Sequence, residues 1–444
     1  MKKKLLIIGN APLPYENSNI RTAAGLRTYQ FLKPITASGE FDIKTVCVSE
    51  DPDFSSTEYT IFQKNDASLL AKIQNAYEEF KPEIILAINN YSSFLASKLK
   101  SDAILWADLN GWWPAEAQAQ ANSMQSDDYG AHYHGMQDSI LKRADKFSTV
   151  SIPQKHALYG ELSSHGRLNS HTFGYEFVHH IPNGTEIFSG EEKYMDRLNQ
   201  KHTGPENEQQ FNLLWLGGYN NWVDGNTLFS ALEIAMEKCP KLYFHSTGGK
   251  LSGLSSSIFD TFYEKTQKSK YKERYKFLGW VRTNEIPQII RNSAAGLNVD
   301  IMCAETIFGA RNRINEYMKF GLPVISTEGS EIADEVERAE AGLCAKSGDP
   351  IRLADKIVEM YKLWADKSEE YFSFGKRGQK YISEQCNFEK LSSEFLNWTK
   401  NAKHAADFGL KISHSGLMKA GFRYLRENGL RKFFAKLWQK LKFF

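Results

Sequence analysis

Short, largely apolar runs recur along this chain with helical stretches between them. Leu5–Ile8, Ile43–Val48, Ile84–Ile88 and Ala103–Ala107 are such runs. Arg21–Ile35 and Ala67–Phe80 lie between them with apolar residues at helical spacing. Runs apolar on both faces of a strand belong to a parallel sheet covered by helices on each side. Phe147–Val150 and His179–Ile181 would close this first sheet, and the polar stretch from Asn183 to Gln210 shows no apolar period. The alternation then restarts with Asn212–Leu216, a helix from about Asn226 to Lys238, Leu242–Ser246, Tyr275–Leu278 and a helix from Ile286. The pattern predicts an α/β protein with two Rossmann-like, doubly wound domains facing a central cleft, where ligands meet the C-terminal strand edges. We place the domains at 1–190 and 211–386 around a linker at 191–210, followed by a helix at 387–404 and a tail at 405–444.

At 444 residues the chain has room for two such domains, and its net charge of +2 proposes no partner by itself. The distribution of charge is more informative. Residues 416–444 hold eight basic side chains and one acidic, a net of +7, so the preceding residues carry −5. Five cysteines, far apart and without a CxxC pair, fit reduced thiols in a cytoplasmic protein. The basic start, Lys2-Lys3-Lys4, precedes only four apolar residues, which suits a buried first strand better than a signal peptide. No run approaches the length that spans a bilayer.

Candidate chemistry concentrates in residues 296–328. An apolar run ending at Ile301 leads into a loop with Glu305, Gly309, Arg311 and Arg313, then a helix bearing Glu316 and closed by Gly321 and Pro323, then Val324–Thr327. Fixed positive charge and free N–H groups at a helix N-terminus suit a diphosphate. The Glu316 carboxylate, set back along the helix, would take sugar or ribose hydroxyls, or serve only as an acid favoured near a helix N-terminus. Gly217-Gly218-Tyr219 follows a strand and precedes a helix, so the backbone there can approach a phosphate, or the glycines form only a tight turn.

These residues resemble the second domain of GT-B glycosyltransferases, especially the retaining group called family 4. Glu316 with Gly321-Leu322-Pro323-Val324-Ile325 matches the family's second glutamate and its Gly-Leu-Pro-Val-Ile. The family's first glutamate would fall at Phe308, and the nearest acid, Glu305, is assigned the sugar-facing role. The family's Arg and Lys after the glycine loop are replaced by Asn220-Asn221-Trp222-Val223-Asp224, which leaves Arg311 and Arg313 to neutralise the diphosphate. In the first half, Gly9-Asn10-Ala11-Pro12 and Ala24-Gly25-Leu26-Arg27 are similar to the family's first loop and acceptor-side turn. Arg143-Ala144-Asp145 and Ile181-Pro182-Asn183-Gly184 are similar to its track into the linker. The resemblance covers roughly residues 4–400 and implies that the 387–404 helix crosses back to the first domain.

Asp108, before Asn110-Gly111, ends an apolar strand, where a carboxylate would orient or deprotonate an acceptor hydroxyl; a turn-forming Asp is the other reading. Trp112 and Trp113 beside it either stack on a sugar or cap the core. Asp51-Pro52-Asp53 is nominally a DxD, but its loop setting suits solvent better than a metal. His132, His134, His179 and His180 lack zinc-site spacing. The tail from Leu430 puts Phe433, Phe434 and Trp438 on one helical face, with Arg431, Lys432 and Lys436 around it, as in a helix lying on an anionic membrane; a helix docked on its own protein or a nucleic-acid tail are the other readings.

Together these features predict a cytoplasmic glycosyltransferase, peripheral on the inner face of the membrane. It would move a sugar from a nucleotide-sugar donor to a lipid-linked glycan or polysaccharide, retaining configuration, with no cofactor or metal and no nucleic-acid partner. The alternative is a non-catalytic GT-B-like protein that binds nucleotide sugar or glycan in a polysaccharide assembly.

Overall fold

Leu5, Leu6, Ile7 and Ile8 are wholly buried, as befits the middle of a parallel sheet with helices on both faces. They form the centre of β1 (Lys3–Asn10). The following elements are α1 (Ala23–Ser38), β2 (Phe41–Ser49), β3 (Thr60–Gln63), α2 (Leu69–Phe80), β4 (Ile84–Ala87), α3 (Asn90–Ser97), β5 (Ile104–Leu109), α4 (Trp113–Met124), α5 (Asp128–Arg143), β6 (Lys146–Thr149), α6 (Ile152–Ser164) and β7 (Val178–His180). The structure, a computed structural model, describes residues 2–14, 22–198, 210–250, 257–410 and 424–434. The seven strands pair in the order β3-β2-β1-β4-β5-β6-β7, all parallel in register, for example Ile7 with Thr45 and Leu86.

The second domain repeats the plan with β8 (Phe211–Trp215), α7 (Gly225–Lys238), β9 (Leu242–Thr247), α8 (Ser257–Lys268), β10 (Tyr275–Gly279), α9 (Ile286–Arg291), β11 (Ala295–Asn298), α10 (Ala304–Phe308), α11 (Asn312–Lys319), β12 (Val324–Thr327), α12 (Glu331–Arg338) and β13 (Gly342–Ala345). Its order is β10-β9-β8-β11-β12-β13. In each sheet the chain reverses direction across the sheet beside the first strand. The topological switch points, β1/β4 and β8/β11, therefore open at the C-terminal edges where such folds bind ligands.

Helices α13 (Pro350–Ala365) and α14 (Glu369–Gln385) cover the second sheet, and α15 (Phe388–Thr399) returns to the first domain. There Phe395 meets Phe31 and Trp106 edge-on at 6.3 and 5.2 Å, and the Ser392 hydroxyl donates to Gln30 O at 3.0 Å. The two connections between domains run side by side, since Thr185 N donates to Cys386 O at 3.1 Å. The chain stays on the first domain beyond α15. Arg167 grips Asp407 through two bonds of 2.8 and 2.9 Å, and Ala405 N donates to Asp145. Ala405 and Asp407, at the start of the expected tail, are thus buried against the first domain.

Candidate functional site

The second domain's contribution is built around Tyr317. Its hydroxyl accepts from Leu216 N at 2.9 Å and donates to Leu214 O at 3.1 Å, which ties α11 to the end of β8. Its ring lies so close to Gly296 that a Cβ there would stand 2.3 Å from it, so only glycine lets helix and strand approach this far. One turn before Tyr317, on the same helical face, Arg313 is carried over the loop that follows β8. The Arg313 guanidinium lies 3.9 Å from the Trp215 ring centroid and donates to Gly218 O at 2.9 Å. Its other terminal nitrogen, Nη1, is buried and has no hydrogen-bond partner among the described residues. Burial holds this guanidinium below the usual arginine range. A buried donor of a cation left unmet is costly unless an anion completes it.

Gly217 takes a left-handed φ of 92°, and a Cβ on Gly248 would lie 2.5 Å from the Gly217 carbonyl. Two glycine turns therefore back onto each other at the sheet edge beside Arg313. Tyr219, expected to contact donor, lies in the core instead. It stacks beneath Trp215 at 4.9 Å, and its hydroxyl bonds Ser246 at 2.8 Å. The Asn220–Asp224 segment is held by strand-like pairing: Ile301 N donates to Trp222 O, and Asp224 N donates to Val299 O before its side chain caps α7.

Arg311 behaves unlike Arg313. It is 5% exposed and clamped between Asp300 (2.6 Å) and Glu305 (2.7 and 3.1 Å). Those carboxylates outweigh the cost of its burial and raise its pKa, so it is fully neutralised within its own domain. In this structure it is therefore ion-paired rather than the free cation expected for a diphosphate. Glu305 is raised by burial despite this arginine and is equally committed to the pair. Glu316 accepts from Thr185 Oγ1 at 3.0 Å and is bridged by the buried Lys319, which also holds Glu191. Its carboxylate thus meets the connection between domains.

On the first domain the buried pair Arg27–Asp108 replaces the expected acceptor-facing groups. Asp108 is wholly buried and accepts from Arg27 at 2.7 and 3.0 Å and from Ser148 at 2.6 Å. Arg27 also donates to Ile181 O and Pro182 O. With every oxygen engaged away from water, Asp108 has no access to an acceptor hydroxyl. Gly25 is required by sterics, since a Cβ would lie 1.9 Å from Pro12 O. Trp113 packs into the core beside Tyr133. Trp112, half-buried, stays at the cleft, where it meets Phe308 of the other domain edge-on at 4.7 Å and donates to Glu161.

Groups without a motif line the same cleft. A ladder of amides joins Asn10, Asn89, Asn110 and Asn183 at 3.0, 3.0 and 3.3 Å, and Asn315 of α11 donates to Asn183 O at 2.8 Å. Ser151 donates to Phe308 O at 2.7 Å, and Glu331 accepts from Ile152 N at 2.7 Å and pairs with His180 at 3.0 Å. These ties span the domains next to a cavity of about 510 Å³ lined by His180, Ile307, Glu331 and Arg338. His179 instead stacks on Trp106 and bonds Glu394, and His134 lines an outer groove between α4 and α5. In the Asp51–Asp53 loop, Asp53 N donates to Asp51 Oδ1 at 3.0 Å in an exposed turn. Arg431, Lys432, Phe433 and Phe434 fall in the helical stretch 424–434, with Phe434 56% exposed; Lys436 and Trp438 lie outside the described residues.

Two Rossmann-type domains facing one cleft, with a last helix returning to the first, define a GT-B protein, and solved structures share the fold. Sucrose-phosphate synthase from Thermosynechococcus elongatus superposes with a TM-score of 0.66 at 15% identity, covering 90% of this chain and 98% of its own. Anabaena HepE, in complex with UDP and glucose, gives 0.65 at 15% identity over 90% of this chain and 100% of its own. The lipopolysaccharide outer core galactosyltransferase WaaB gives 0.54 at 14%, over 89% of this chain and 99% of its own. Residues 210–362 match the family described as glycosyl transferases group 1. The chain therefore has the GT-B fold, with a second domain similar to that family. No curated protein sequence matches it.

Proposed function

We propose that the enzyme takes its sugar from a nucleoside-diphosphate sugar bound on the second domain, and that Arg313 and the Gly217-Gly218 turn hold the diphosphate. The observation carrying this reading is the buried, unpartnered Arg313 Nη1 beside two glycine turns at the N-terminus of α11. A guanidinium on a low-dielectric wall, together with that helix end, would stabilise charge developing on the leaving diphosphate. HepE, with UDP and UDP-glucose in its complexes, supports the donor class. In this scheme the protein's own cation and dipole neutralise the leaving group, so it calls for no metal or resident cofactor, and configuration is retained as in the group the motifs resemble.

The acceptor we propose is a lipid-linked glycan or polysaccharide met at the inner membrane face. Among the described residues no helix is long and apolar enough to cross a membrane. The net +7 of residues 416–444, with exposed Leu430 and Phe434, supports peripheral contact with anionic lipid. The test of the chemistry is release of nucleoside diphosphate from UDP-, GDP- and ADP-sugars by the full-length protein. Turnover of one of them supports the reading; none turned over and none bound would contradict it.

A further inference from the structure

Glu116 is a further carboxyl at the cleft, supplied by the first domain. It stands in the first turn of α4, where an acid often caps the helix by accepting from its first N–H groups. Here it caps nothing, and no hydrogen bond among the described residues reaches its carboxyl. Its position is nonetheless fixed closely. The turn after β5 is pinned where Gln154 and Asn90 donate to Gly111 O at 2.8 and 3.0 Å. Gly111 takes a left-handed φ of 97°, and a Cβ on it would lie 2.3 Å from Glu116 Oε1. Glycine at 111 thus leaves open the space that the carboxyl occupies.

Across the gap stand Glu305 and Arg311 of the second domain, the charged groups that act on Glu116. Of the elements packed on α4, α10 brings Glu305, α5 carries Tyr133 and His134, and α6 carries Glu161, held by Trp112 and Gln137. Since Arg311 is saturated by Asp300 and Glu305, it makes no bond to Glu116. A carboxyl held between two domains, at the C-terminal edges of both sheets and with its hydrogen-bonding capacity unused, is suited to hydroxyl groups of a ligand that fills the cleft.

We infer that Glu116, supplied by the first domain, binds sugar hydroxyls in the cleft, a role that Asp108 is too buried to play. This rests on the glycosyl-transfer reading above and adds which residue meets the sugar. Burial, and then the nearby Glu305, push the Glu116 carboxyl up to about 8, so near neutral pH it is an acid with a proton to donate to a sugar oxygen.

The test is calorimetric titration of the full-length protein with UDP, GDP and ADP, then with the sugar donor of whichever binds, then with free glucose on the nucleotide-loaded protein. Wild type should bind the nucleotide sugar more tightly than the bare nucleotide. Glu116→Leu should lose that margin fivefold or more, while Glu116→Gln, which keeps a donor, should retain most of it at pH 7. In wild type the margin should shrink as pH rises through about 8, and in Glu116→Gln it should stay flat. The same losses seen for glucose instead would support the proposal with the acceptor's sugar as the ligand. Nucleotide binding with both sugar affinities unmoved in Glu116→Leu, and identical pH profiles in Glu116→Gln, would overturn it. Absence of any nucleotide binding by wild type would overturn the glycosyl-transfer reading itself.

Discussion

Two arginines two positions apart on one loop and helix have opposite fates, and side-chain partners alone decide which. Arg311 finds Asp300 and Glu305 within its own domain, whereas Arg313 finds only a carbonyl and an aromatic face. Arg311→Ala would strand two buried carboxylates, at a cost of about 3–5 kcal/mol, so a drop in melting temperature is expected, read by calorimetry. Glu116 gives a second prediction at this scale. Its folded pKa of about 8 lies above the unfolded value, so the protein takes up a proton on folding between those values and loses stability as pH rises through that window. Glu116→Gln should therefore raise the melting temperature more at pH 8 than at pH 4.5, and an equal difference at both would contradict the assignment. From sequence, Arg311 and Arg313 look interchangeable, because nothing local announces that Asp300 turns toward one and away from the other.

At the scale of elements, the alternation of apolar runs and helical stretches was readable because strands buried on both faces need unbroken apolar sequence. Leu5–Ile8 and Ile84–Ile88 show this directly: the first lies within β1, and the second covers β4 and the residue after it. The short edge strand β3 left no comparable trace, since Thr60–Gln63 is only partly buried. Gly-Leu-Pro-Val-Ile was legible for a related reason: Gly321, at φ 67°, ends α11, and Val324–Ile325 re-enter the sheet. The roles of Asp108 and Tyr219 were not legible, because a side chain's direction at a strand end depends on partners such as Arg27 and Ser246, 81 and 27 residues away in sequence. The α11–β11 contact provides an element-level test. Gly296→Ala should force Tyr317, and with it Arg313, away from the Gly217 turn. It should lower both stability and nucleotide affinity, measured by thermal shift with and without nucleotide; lowered stability with affinity untouched would uncouple Tyr317 from the site.

For the whole molecule, the ties between domains and the charge of the tail determine behaviour. Burial opposes the charge on Glu331, but bonds from His180 and Ile152 N outweigh it and hold the carboxyl below its usual range. Its contribution to stability is present above the unfolded pKa and is lost as pH falls through the folded one. Glu331→Gln should therefore lower the melting temperature at pH 7 and change it little in strong acid. Deleting residues 416–444, which carry net +7, should release the protein from phosphatidylglycerol vesicles, with wild-type binding weakening at high salt. Equal co-sedimentation of the full-length and truncated proteins would remove the membrane from the account. The central proposal is that Arg313, whose Nη1 lacks a hydrogen-bond partner among the described residues beside the Gly217 turn, holds the donor's diphosphate. Calorimetric titration of wild type and Arg313→Ala with the preferred nucleoside diphosphate tests it most directly. Loss of one charge-assisted phosphate contact is worth about 1.5–3 kcal/mol, so affinity should fall tenfold or more with little change in melting temperature, and unchanged affinity would place the phosphates elsewhere.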